Sequence, residues 1–227
     1  MRIGVIGAMD EELVFLKTKV VFEQNVLLFG LTFEIGVYKG IEVIIVKTGI
    51  GKVNAAVGTT LLISQFSPDY IVNVGVAGSF RDNIKIGDVV VASEVRHHDV
   101  NVTLFGYEHG QVPELPPSFQ ADPKLVQLAA QSTLPLVHVG LVVSGDHYFD
   151  DHETVDKIRS TFPSVFAAEM EAASIGHVCW MAGVPFLIIR TISDQPGNKG
   201  QESFHEHIHH ASTTSAELLL KLLEAGL

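Results

Sequence analysis

Arg2-Ile3-Gly4-Val5-Ile6-Gly7, running into Ala8-Met9-Asp10-Glu11-Glu12-Leu13-Val14-Phe15-Leu16, decides how the chain is read. The first six residues are a β-branched run closed by glycine, the pattern of a buried strand. Over Asp10 to Val20, Leu13, Leu16 and Val20 recur at helical spacing. The acids gather in the first turn, where the helix dipole favours them. A buried strand that passes directly into a helix opens an α/β fold.

The same alternation continues outward. Val26 to Leu31, Phe33 to Tyr38 and Glu42 to Thr48 read as a strand meander. Gly49-Ile50-Gly51 then opens a helix to about Gln65, and Tyr70 to Val76 and Asp88 to Ala92 are strands. Asn101 to Gln120 is a long polar stretch, but its Phe105, Tyr107 and Phe119 argue for a functional loop over simple disorder. Helices are expected over Asp122 to Ser132, Asp151 to Phe162, Glu169 to Ala182 and from Ser203 onward. Val137 to Ser144 and Phe186 to Ile192 are the remaining strands. No repeat or linker interrupts residues 1–227, so the expectation is a single-domain α/β three-layer sandwich. Its mixed, mostly parallel twisted sheet is flanked by helices.

Composition narrows the function. The 227 residues are 47% hydrophobic and 18% charged, ordinary for a globular chain. Fifteen Lys and Arg stand against 26 Asp and Glu, a net charge of −11, which repels nucleic acid and anionic lipid. Neither is an expected partner. The single cysteine, Cys179, allows no internal disulfide. The apolar opening is too short for a signal-peptide core, and no window approaches 18 continuous apolar residues. A cytoplasmic location is expected.

Three motifs fail on inspection. Gly49-Ile50-Gly51-Lys52-Val53-Asn54 lacks the third glycine of a dinucleotide fingerprint and the flanking residues of a P-loop. A tight strand-to-helix turn is the plainer reading. His205-Glu206-His207-Ile208-His209 matches a zincin pattern, but a zincin needs a third protein ligand. With His210 beside them, these histidines read better as a solvated helix face. Asn101-Val102-Thr103 is a glycosylation sequon without meaning unless the chain is secreted.

In parallel α/β sheets, ligands bind beyond the carboxyl ends of strands. That rule selects Gly7 to Glu12, Gly49 to Lys52, Gly75 to Ser79, Ser144 to Phe149 and Ser193-Asp194. Three carboxylates stand out there or at a helix start: Glu12, Glu171 and Asp194. Two acids in different environments can divide acid and base duties. Each alone also has a structural reading, because first-turn acids complement the dipole and Asp caps helices.

Their company is more specific. Gly7-Ala8-Met9 with Glu12, Gly49-Ile50-Gly51-Lys52, Ser144-Gly145-Asp146, Glu169-Met170-Glu171-Ala172 and Arg190-Thr191-Ile192-Ser193-Asp194 occur in this order. With the loop from His98-Asp99 to Phe105-Gly106-Tyr107, they resemble the 5′-methylthioadenosine/S-adenosylhomocysteine nucleosidases. These enzymes belong to the purine nucleoside phosphorylase superfamily, and the resemblance runs from residue 2 to the last helix. It implies hydrolysis of the N-glycosidic bond of both nucleosides, and of 5′-deoxyadenosine, to adenine and the free sugar. Salvage of sulfur and adenine, or relief of methyltransferase inhibition, would be the purpose.

Residue by residue, the resemblance implies that Glu12 activates the attacking water and Asp194 protonates adenine N7, oriented by Ser193. Glu171 would accept from ribose hydroxyls, with Met170 against the sugar and Arg190 near the purine-binding acid. Tyr148 stands where the family usually stacks a phenylalanine on adenine, and the Phe149 backbone would read the purine edge. Val76 stands where many members carry a small hydroxyl residue near the ribose. Met9, Ile50 and Phe204 would line the sugar and 5′-thio pocket. Val102, Phe105 and Pro113 would reach it from the partner subunit of a homodimer. No metal or organic cofactor is implied.

Three alternatives stay open at this stage. A phosphorylase needs a phosphate site, and the five arginines, Arg2, Arg81, Arg96, Arg159 and Arg190, form no evident cluster. A 6-amino-6-deoxyfutalosine hydrolase would share the same chemistry. A nucleoside-binding protein would be marked by loss of Glu12 or Asp194, and both are present.

Overall fold

The computed structural model describes residues 1–132, 136–149, 151–196 and 200–226, with the backbone alone at 200–203 and 205. Strand β1 (Arg2–Gly7) leads into α1 (Asp10–Lys17). A meander follows of β2 (Val21–Leu28), β3 (Leu31–Tyr38) and β4 (Ile41–Lys47). Its tight turns place Gly30 at φ 80° and Gly40 at φ 85°, where glycine carries no steric penalty. Strand β2 starts five residues before the expected Val26, and Phe29-Gly30 forms the turn. It is a largely exposed edge strand whose polar Glu23-Gln24-Asn25 hides the strand pattern.

Next come α2 (Lys52–Phe66), β5 (Tyr70–Ser79), β6 (Val89–His97) and β7 (Phe119–Gln120). The long segment between β6 and β7 contains a 3₁₀ turn at Thr103–Phe105. Helix α3 (Pro123–Ala130) is capped by Asp122, which accepts from the Lys124 and Leu125 N–H groups at 2.9 and 3.0 Å. Strand β8 (Val137–Ser144) precedes α4 (His152–Thr161), and β9 (Val165–Glu169), α5 (Ala172–Ala182), β10 (Phe186–Asp194) and α6 (Gly200–Glu224) complete the order. Strand β9 corrects the expectation of a helix from Glu169: the helix begins only after Glu171.

The sheet is mixed, and five of its ten pairings among the described residues are parallel. One parallel set is β4-β1-β5-β10, and the other is β6-β8-β9. The two sets run antiparallel to one another and are joined twice, by β10–β6 and by β5–β9. The sheet therefore closes part of itself into a ring. The β5–β9 pairing is only two residues long, Gly78 with Ala168 and Ser79 with Ala167, towards the carboxyl end of each strand. The carboxyl ends of both sets meet at that corner.

Helices cover both faces. One core packs Ile6, Leu62, Ile71, Ile175, Cys179 and Ile188 beneath α2 and α5. The other packs Val5, Leu13, Val72, Leu187, Ile189 and Leu219 beneath α1, α3 and α6. Strand β10 is buried along its whole length. No described helix is long and apolar enough to cross a membrane.

Candidate active site

Glu12 lies in the first turn of α1, where its carboxylate meets unpaired backbone donors. Oε2 accepts from the Ala8 N–H at 2.7 Å and the Met9 N–H at 3.1 Å, and Oε1 from the Val76 N–H at 3.1 Å. The side chain is 1% exposed. Burial raises its pKa, against the opposing pull of Arg190 and the three N–H groups. Val76 thus contributes its backbone, while its side chain packs with Ile208 and Ala211. Gly75 makes this approach possible, because a Cβ there would lie 2.3 Å from both Glu12 Oε1 and Arg190 Nη1. Gly75→Ala is expected to cost about 1–3 kcal/mol by overpacking a buried charge cluster. Urea denaturation of the variant checks this.

Arg190, fully buried in β10, gathers the acids. Its Nη2 donates to Asn73 Oδ1 at 2.5 Å, to Glu169 Oε2 and to Glu171 Oε2 at 3.3 Å, while Nη1 sits 3.6 Å from Glu12 Oε1. One guanidinium thus faces three glutamates. Glu169 also accepts from the Glu171 N–H at 2.9 Å and from the Ala172 N–H, and receives the Ser144 hydroxyl. It therefore caps the N-terminus of α5. Glu171 Oε1 accepts from the Gly51 N–H at 2.9 Å, which ties it to the start of α2.

Burial, reinforced by Glu169, pushes Glu171 up to about 8. The folded chain then holds a proton there that the unfolded chain releases near a pH of about 4.3. Its contribution to stability is complete below that value and is lost as pH rises to about 8. Thermal melts between these limits are expected to fall with pH in the parent and to fall less steeply in Glu171→Gln, where Glu12 and Asp194 still titrate above their usual range. An equal slope in both would contradict this.

Asp194 ends β10. A register shift between Ile192 and Asp194 turns the last residues of the strand towards Gly78. Ser193 Oγ donates to Asp194 Oδ1 at 2.7 Å. Burial raises the Asp194 pKa, partly offset by that bond. A Cβ at Gly78 would lie 3.2 Å from Asp194 Oδ2. Gly75, beside Glu12, and Gly78, beside Asp194, are three residues apart on β5.

Between the two carboxylates lies a cleft of about 630 Å³, including space open to solvent at its mouth. Its wall contains Glu12, Asp194, Met9, Ile50, Val76, Tyr148, Phe149, Met170, Glu171, Arg190, Ser193 and Phe204, every residue expected there from the same chain. Phe149 is buried, with the rings of Phe80 and His98 at 5.4 and 5.0 Å, and Tyr148 is 42% exposed. Glu169 and His147 also line the cleft, and the sequence reading gave neither a role. A lone arginine within the apolar run of β10 was the available signal, since a buried cation needs buried counter-charges.

Val102, Phe105 and Pro113 do not line the cleft of the single chain, and Phe105 is 80% exposed beside Leu104 at 98%. The His205 side chain lies outside the described residues, while His209 and His210 are exposed on α6.

Comparison with known proteins extends these observations. Residues 2–224 match the model of the phosphorylase superfamily. A 5′-methylthioadenosine/S-adenosylhomocysteine nucleosidase of Bacillus pumilus is 44% identical, over 99% of both chains. A solved nucleosidase of the same description from Colwellia psychrerythraea, in complex with adenine, superposes with a TM-score of 0.96. It is 41% identical and covers 99% of this chain and 95% of its own. Its counterpart from Neisseria meningitidis, in complex with methylthio-immucillin-A, also reaches 0.96, at 38% identity over 99% of both chains.

Proposed function

The chain belongs to the phosphorylase superfamily, among its 5′-methylthioadenosine/S-adenosylhomocysteine nucleosidases, and from that membership we infer how its cleft works. It hydrolyses the N-glycosidic bond of these two nucleosides to adenine and the 5-substituted ribose. One observation carries the assignment of roles. Two buried carboxylates with raised pKa values, Glu12 and Asp194, flank one cleft with separate partners.

In our reading, Asp194 delivers a proton to N7 of adenine. The bond from C1′ to N9 breaks and its electron pair leaves with the purine, which departs neutral. Positive charge grows on the sugar beside Glu12, while Glu171 holds the ribose hydroxyls. Glu12 takes a proton from the water that adds to C1′ on the opposite face. Ser193 holds Asp194, and Tyr148 and Phe149 hold the purine. Met9, Ile50, Val76, Met170 and Phe204 enclose the sugar and its 5′ substituent. Arg190 works through the glutamates that it positions.

Water is favoured over phosphate as nucleophile. Arg190 is the one arginine or lysine on the cleft wall among the described residues, and three glutamates already engage it. The test is adenine release from 5′-methylthioadenosine, S-adenosylhomocysteine, 5′-deoxyadenosine and 6-amino-6-deoxyfutalosine in parallel. The first two are expected to have the highest kcat/KM. Preference for the futalosine would reassign the substrate.

Our proposal extends to a cytoplasmic homodimer in which Val102, Phe105 and Pro113 complete the 5′ pocket of the partner. Exposed Leu104 and Phe105 support it, since large apolar side chains at a loop tip mark contact surfaces. Phe105→Ser is expected to raise KM for 5′-methylthioadenosine about tenfold and to weaken the dimer in sedimentation velocity. A fully active monomeric parent would refute the dimer.

A further inference from the structure

Asp99, Lys52 and Asp146 form a closed set of contacts outside the catalytic groups. Lys52 Nζ lies 2.6 Å from Asp99 Oδ1, and the Asp146 N–H donates to Asp99 Oδ2 at 3.1 Å. Asp146 Oδ1 accepts from the Lys52 N–H at 2.8 Å and so caps α2 from another segment. The three residues come from the end of β6, the start of α2 and the loop after β8. Neither member of the ion pair is freely solvated, with Lys52 21% and Asp99 29% exposed. The surrounding chain is fitted to the contacts. A Cβ at Gly145 would lie 3.0 Å from Asp99 Cγ, and one at Gly51, already at φ 101°, would lie 3.0 Å from Asp146 Oδ1.

The two ends of this set reach opposite halves of the cleft. Asp146 precedes His147, Tyr148 and Phe149, the purine side. Gly51, next to Lys52, donates to Glu171 on the ribose side. We propose that Asp99 and Lys52 are positioning residues that lock the purine loop to the start of α2, holding the purine wall and Glu171 in one register. This rests on the nucleosidase reading. Bond cleavage requires the acid at the purine and Glu171 at the ribose to be in place at the same moment. A displacement of about 1 Å between them costs on the order of 100-fold in rate.

The test uses full-length Lys52→Met, Asp99→Asn, the double variant and Lys52→Arg, assayed for 5′-methylthioadenosine hydrolysis and for inhibition by adenine. Each single variant is expected to lose about tenfold or more in kcat/KM and to bind adenine more weakly. The double variant should fall no further than the worse single one, because both break the same link. Lys52→Arg should keep kcat/KM within about threefold of the parent, because the guanidinium keeps the charge and can still donate to Asp99. Multiplying losses in the double variant, or single variants within about twofold of the parent, would overturn the proposal. So would losses that disappear on cooling the assay, since they would report folding alone. A parent that hydrolyses no nucleoside would instead refute the underlying assignment.

Discussion

Asp194→Asn is expected to lower kcat on 5′-methylthioadenosine by about 10²–10⁴-fold, the range that a positioned general acid supplies. The amide has the same shape but carries no transferable proton. Ser193 Oγ, now 2.7 Å from the carboxylate, retains an oxygen acceptor in the variant. Folding should not suffer. Burial raises the pKa of Asp194, so the carboxylate is disfavoured where it stands, and a neutral amide removes that cost at neutral pH. The variant is therefore expected to melt at or above the parent temperature while being almost inactive. Turnover near the parent rate would remove Asp194 as the acid.

Glu12→Gln is expected to lose a similar factor in kcat, about 10²–10⁴-fold, with 5′-methylthioadenosine still bound in calorimetry. Its effect on stability has the opposite sign. Both carboxylate oxygens accept backbone N–H groups, from Ala8 and Met9 on one side and from Val76 on the other. A glutamine amide must turn its own NH₂ towards one of these donors. A buried donor left unpaired costs about 1–3 kcal/mol, and Arg190 loses part of its counter-charge. Retained hydrolysis would remove Glu12 as the base. The two variants thus separate acid from base by stability as well as by rate.

The sequence made these residues legible for different reasons. Glu12 and Asp194 follow buried strands, where an α/β sheet places its ligands, and their neighbours match a family pattern. Arg190 was visible as an isolated cation in an apolar run, but nothing local showed that Asn73, Glu169 and Glu171 would meet it. Those contacts join residues 19 to 117 positions apart. Strand β9 was hidden because Val165-Phe166-Ala167-Ala168-Glu169 has no strand periodicity and ends in good helix formers. Pairing with β8 and β5 decides its conformation. Closure of the ring depends on the two-residue pairing of β5 with β9, which leaves no mark in hydropathy. The Asp99–Lys52–Asp146 set was invisible for the same reason, since its members lie 47 and 94 residues apart.

The most direct measurement is product chromatography after incubating the purified protein with 5′-methylthioadenosine, with and without inorganic phosphate. Adenine and free 5-methylthioribose at equal rates in both samples are the result expected of Glu12 activating water beside an arginine already engaged by glutamates. Adenine that appears only with phosphate, together with a sugar 1-phosphate, would contradict hydrolysis and make the protein a phosphorylase.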